Sequence, residues 1–273
     1  MHEHAPMRHP LHSRCELMKI SENSAEELPV PAEQGAIRWP VPPQPIAPWW
    51  HTALMVAVIL GVSILSSLQA RVSALAQQHL KHYAFTMAWE VALAALAWWG
   101  IRMRRVPVRQ LLGERRVGVK AWFTDFGVAL IFWLVASIVL AAIASVLRLL
   151  HLMRSQKAVF AIAPQTGWEI VLWVLLSTTA GVVEEFVFRG YLLQQLSSIG
   201  GRLWLGVLMS SLLFGAAHGY EGVGAMIAIV AFGAMFCALT IQRRSLRAGM
   251  MAHAWHDSLT GILLAIAKHL RVI

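Results

Sequence analysis

The chain has 273 residues, of which 58% are hydrophobic and only 14% charged. Soluble domains carry about 25% charged residues, so this composition excludes an ordinary water-soluble domain and indicates an integral membrane protein. The net charge of +9 does not point to nucleic acid, because the Lys and Arg gather in short loops between apolar runs, the pattern that orients membrane proteins.

Residues 1–48 come first, with four Lys/Arg against six Glu, and seven prolines fall within residues 29–48. Such a segment reads as a disordered or extended Pro-rich polar tail, and it has no apolar core of the kind a secretory signal needs. Cys15 lies in this tail and Cys237 in an apolar run, so no disulfide is expected between them.

From Trp49 onward the chain consists of runs long enough to cross a bilayer, for which about 20 mainly apolar residues are needed. Seven candidates stand at about 49–69, 83–101, 123–147, 168–190, 203–217, 222–241 and 248–267, with room for an eighth. The fourth can continue as helix to Leu196 and so is expected to bend or to divide. Trp49, Trp50, Trp98, Trp99, Trp122, Trp168 and Trp204 fall near run ends, as an aromatic belt requires. The expected fold is all-α, a polytopic membrane helical bundle. The basic loops at 102–120 and 242–247 fall on one side of a seven-span drawing, which predicts a cytoplasmic N-terminus in a plasma or inner membrane. The loop at 148–157, with Arg148, Arg154 and Lys157, falls on the other side and opposes that orientation.

Ionisable residues inside spans are costly and are functional candidates by default. Glu90, Asp125, Glu169, Glu184, Glu185, Arg189, His218, His253, His256 and Asp257 are the ones present. Asp125 and Glu169 stand near run ends, where headgroups are close. Glu90 is deeper, and either a packing contact or a place on a substrate path would explain it. Glu185 and Arg189 are four apart and can pair on one helical face, which leaves Glu184 without a local partner. Phe214 and His218 are four apart at the end of a run, and His253 and Asp257 are four apart in "HAWHDS".

Taken together, Glu184-Glu185-xxx-Arg189, Phe214-xxx-His218 and His253-xxx-Asp257 resemble the EExxxR, FxxxH and HxxxN/D pattern of the CPBP family. These intramembrane proteases include the CAAX-processing proteases (CAAX prenyl protease 2, the Abi family) and bacteriocin-related membrane proteins. The resemblance covers about residues 165–266. It divides the chain into the tail (1–48), N-terminal transmembrane helices (49–164) and a catalytic helical core (165–267). It implies an intramembrane endopeptidase in which Glu184 and His218 activate a water. His253 and Asp257 would stabilise the oxyanion, and Glu185 and Arg189 would brace the helix. Asp257 departs from the Asn of many relatives, so it either donates when protonated or orients His253. The implied partners are the lipid bilayer and a membrane-associated peptide or protein substrate, with no nucleic acid and no required cofactor. Glu184, His218, His253, His256 and Asp257 are also acceptable zinc or iron ligands, which keeps a metal-dependent version open. A non-proteolytic scaffold, immunity or transport protein that retains the motif is the alternative of a different class. The zinc, rhomboid and aspartyl intramembrane signatures HExxH, GxSG and GxGD are absent.

Overall fold

The computed structural model describes residues 1–2, 44–72, 79–113, 118–153 and 157–270. Most of the expected polar tail, and the loop residues Arg115, Arg116 and Arg154, lie outside the described residues. Among those described, the chain is all-helical, a membrane helical bundle. The helices are α1 (Trp49–Val72), α2 (His79–Met103), α3 (Val108–Leu112), α4 (Val119–Leu149), α5 (Lys157–Ile162), α6 (Gly167–Glu184), α7 (Leu193–Gly200), α8 (Leu203–Ala217), α9 (Val223–Arg243) and α10 (Arg247–His269). A π-helical stretch, Glu185–Leu192, joins α6 to α7, so that Gly167–Gly200 is one unbroken helix.

Helices occupy all seven apolar runs. Five of them are long and apolar enough to cross a membrane; α8 is apolar but shorter, and α10 carries more polar residues. Their outer faces are covered with exposed Leu, Ile, Val and Phe, such as Ile131 and Ile138 on α4 and Leu208 and Leu212 on α8. In water these would be liabilities; in hydrocarbon they are the solvent-facing surface, because the bilayer is as apolar as they are.

Small residues set the approach of α6 to α10. A Cβ on Gly181 would lie 2.6 Å from the backbone nitrogen of Ala254, and a Cβ on Gly261 would collide with the Trp173 indole. The Trp173 Nε1–H donates to the Asp257 carbonyl at 2.9 Å, which ties the two helices again. Without a hydrophobic force between helices inside lipid, this close backbone contact is what holds such a pair. The N-terminus of α6 is closed by a capping box, with Thr166 accepting from the Glu169 amide and Glu169 accepting from the Thr166 amide. Glu169 also pairs with His79 at 3.3 Å. Asp125 is buried, and it accepts from Arg243 at 2.7 Å, clamping α4 to α9.

The chain just before α1 is held by a side chain of α7. The Gln195 side chain accepts from the amides of Ile46 and Ala47 and donates to the Ala47 carbonyl and to Thr52 Oγ1. Farther along α1, Ser63 Oγ donates to the Ala216 carbonyl at the end of α8.

Candidate active site

The π-helical stretch opens directly after Glu184. Such wide turns are rare, cost hydrogen-bond geometry, and recur at functional sites. Every residue from Glu185 to Leu192 is buried, including the Glu185–Arg189 pair at 0% exposure each. A buried ion pair is tolerated when further contacts support it; here Glu185 Oε2 and Arg189 Nε have no hydrogen-bond partner, and the remaining atoms carry the support. Arg189 donates to Glu185 Oε1 at 2.8 Å and to the Gly233 carbonyl at 3.3 Å. Its guanidinium lies between the faces of Phe214 and Phe236, 4.3 and 4.9 Å from their centroids. Phe214, the Phe of "FGAAH", is thus a wall of the arginine's cage.

His253, on the second turn of α10, joins the two glutamates. Its Nδ1 lies 3.0 Å from Glu185 Oε1, and a carboxylate acceptor requires that nitrogen to carry the proton. Its Nε2 lies 3.5 Å from Glu184 Oε2 and 3.6 Å from Asp257 Oδ2. The ring is stacked on Phe236 at 5.1 Å and meets Phe214 edge-on at 5.9 Å. The Glu184 and Asp257 side chains are 13% and 34% exposed, whereas Glu185 is at 0% and His253 at 4%. The first two carboxylates are therefore partly exposed, while Glu185 and His253 are buried against them. Glu184 Oε2 has no hydrogen-bond partner of its own.

His218 closes α8, and its Nδ1 donates to the Phe214 carbonyl at 2.9 Å. That bond fixes the neutral tautomer and leaves Nε2 free to accept a proton. His218 shares the Phe214 ring with His253, so Phe214 holds both imidazoles, 5.0 and 5.9 Å from their centroids. His218 also acts electrostatically on Asp257.

A simple seven-span drawing sets His218 and His253 near opposite faces of the membrane. They converge because α8 stops after 15 residues and turns at Gly219–Glu221, well short of a full crossing. Hence the six motif residues belong to one constellation. His256 adjoins it through Phe232, whose ring lies 4.8 Å from His256 and 5.9 Å from His253. Among the described residues no group of three or more His, Cys, Asp or Glu is disposed to hold a cation.

Two neighbours were not singled out by sequence reasoning. Tyr220 and Glu221 form the turn beyond His218, with the Tyr220 ring 6.2 Å from that imidazole. Burial pushes the Glu221 carboxyl up, and the His218 charge pulls it back. Burial also raises the Tyr220 hydroxyl, with the Glu221 charge adding to it. The available signal was an ionisable pair set between Gly219 and Gly222 directly after the FxxxH histidine. A separate groove of about 990 Å3 runs along the far side of the α6–α10 seam, past Val174, Val182, Met250 and Trp255, and none of the six motif residues lines it.

Residues 166–259 match the family model described as type II CAAX prenyl endopeptidase Rce1-like. No curated protein and no solved structure matches the chain. The matched segment begins at the N-cap of α6 and ends two residues past Asp257, so it contains every residue of the constellation. Over that segment the chain is similar to the Rce1-like CAAX prenyl endopeptidases, in agreement with the CPBP pattern that its three motifs resemble.

Proposed function

We propose that this protein is an intramembrane endopeptidase that hydrolyses a peptide bond by a water activated at Glu184 and His218. The single observation that carries the mechanism is Glu184, a partly exposed carboxylate whose inner oxygen Oε2 has no hydrogen-bond partner and lies 3.5 Å from Nε2 of the buried His253. The Glu184 carboxylate takes a proton from the water as its oxygen attacks the substrate carbonyl, and His218 Nε2 accepts a hydrogen bond from the same water. His253, with Nδ1–H held by Glu185 and Nε2 facing the carboxylates of Glu184 and Asp257, carries both ring protons and presents Nε2–H to the developing oxyanion. Asp257 orients that imidazole and balances its charge. No covalent intermediate arises, since among the described residues no Ser or Cys stands with a base that would activate it.

The family description favours a C-terminal CAAX peptide carrying a prenyl chain as the first substrate to try. The loop arginines favour a cytoplasmic N-terminus in the cell membrane.

The test is cleavage of prenylated and unprenylated membrane-tethered peptides by detergent-purified protein, with and without EDTA. Glu184→Gln and His218→Ala should each lose activity by about 10²–10⁴-fold, the usual worth of general acid–base catalysis. Cleavage that persists in both variants sinks the assignment of the site. Loss of wild-type activity with EDTA, restored by zinc, replaces it with the metal-dependent version.

A further inference from the structure

Outside the motif, α2 brings one more carboxyl group to the site. Glu90 is 5% exposed, and its Oε2 has no hydrogen-bond partner. It lies on the buried stripe of α2, with Tyr83, Leu93, Ala97 and Gly100. Two contacts fix its height against the catalytic helix. Tyr83 meets Trp173 edge-on at 5.7 Å. Farther along, His51 links the Leu96 carbonyl (3.0 Å) to the Tyr191 hydroxyl (2.8 Å). Glu90 stands about midway between Tyr83 and Leu96, so it is level with the middle of the Trp173–Tyr191 interval, near the height of Glu184. Leu93, less than a turn on, belongs to the same core as Val183 and Val187. The charges of Glu184 and Asp257 both reach it.

Charge balance then constrains its state. The carboxylates of Glu184, Glu185 and Asp257 face Arg189, His253 and His218, three groups of each sign even when both imidazoles are charged. A fourth negative charge, buried and without a donor, would cost several kcal/mol in apolar surroundings. Glu90 avoids that cost as a neutral carboxylic acid.

We propose that Glu90 is a further catalytic residue, a neutral carboxylic acid that donates its proton to the leaving amine. The role rests on the proteolytic reading of the site. The water oxygen bonds to the carbonyl carbon while its proton passes to Glu184. When the C–N bond breaks, the amine nitrogen takes the Glu90 proton. The products are a carboxylic acid and an amine, with Glu184 left protonated and Glu90 ionised. Transfer of one proton from Glu184 to Glu90 through cavity water restores both. A separate donor lets Glu184 act in one direction only and places acid and base on two different helices.

Glu90→Gln is the informative substitution, because the amide copies the shape and neutrality of the acid but has no proton to give. If Glu90 merely filled space, that variant would work normally. Three measurements on purified full-length protein decide the matter. The infrared carbonyl stretch of a protonated, buried carboxylic acid should be present in wild type at neutral pH and absent in Glu90→Gln. Cleavage of a membrane-tethered peptide should fall by about 10²-fold or more in Glu90→Gln, with KM and thermal melting unchanged. Hydrolysis of an activated aryl ester with the same acyl side should be retained, because its leaving group departs without a proton; if wild type ignores the ester, the peptide arm decides alone.

Absence of the infrared band overturns the proposal. So does a Glu90→Gln protein that cleaves peptide at the wild-type rate, or one in which peptide and ester fall together. A wild type that cleaves neither, while keeping the band, overturns the proteolytic reading and the donor role with it. The surviving band would show that the proton assignment was not what failed.

Discussion

At the scale of single residues, Glu185 does two things that the motif alone does not separate. It neutralises Arg189, and it holds the proton on His253 Nδ1. Glu185→Gln leaves a buried, half-paired guanidinium, and breaking such a pair costs about 3–5 kcal/mol. Replacing both members by apolar residues, as in Glu185→Leu with Arg189→Met, should recover most of that stability, since apolar substitutes for buried pairs are often neutral. Activity should not recover with it, and the shortfall should be on the order of 10²–10³ in kcat, the worth of one oxyanion donor. Melting curves beside kcat distinguish the two jobs; a double variant that regains both would show that Glu185 is only a brace. Glu221 offers a pH-dependent counterpart. Its folded-state carboxyl is raised by burial, so the neutral form is favoured, and its contribution to stability is lost as pH rises through the folded value. Glu221→Gln should therefore melt higher than wild type by a margin that grows from pH 4.5 to pH 8. A margin that does not change with pH would contradict this. The six motif residues were legible in the sequence because charge inside an apolar run is expensive. Their pairings were not, because the contact of Glu184 and Glu185 with His253 exists only once α6 and α10 touch. Glu90 was visible as an anomaly, but its neighbours belong to helices nearly a hundred residues away.

At the scale of elements, span positions could be read from hydropathy, and α1, α2, α4, α6, α8, α9 and α10 stand where apolar runs were found. The π-helical stretch could not. Since "EFVFRGYL" is buried all round, its hydrophobic pattern shows no face from which the helix period could be read. Nor did a sequence show which glycines are contacts. Gly181 and Gly127 are both helix-interior glycines, yet a Cβ on Gly127 meets nothing within 4 Å. Gly127→Ala should be neutral to stabilising, by up to about 1 kcal/mol from helix propensity. Gly181→Ala should destabilise by about 1–3 kcal/mol through overpacking and should also depress kcat, because it parts Glu184 from His253. Thermal melting in detergent with a parallel cleavage assay checks the contrast; equal melting of the two variants would refute the tight α6–α10 seam.

At the scale of the whole molecule, the short α8 concerns the membrane as much as the protein. Its 15 residues span about 22 Å at 1.5 Å per residue, against about 30 Å of hydrocarbon. One side of the helix faces outward through Trp204, Leu208 and Leu212. Lipid beside a helix that short must thin or tilt to meet it, at fractions of a kcal/mol per Å of mismatch. In vesicles of increasing acyl length, cleavage should accordingly slow while folding is unaffected, whereas a rate indifferent to thickness would mean that α8 is shielded from lipid. A dimple of that kind would draw the aqueous boundary toward His218. The bilayer itself would then do part of the work of delivering water to a peptide bond, and the lipid composition of its surroundings would set how fast this protein can cut.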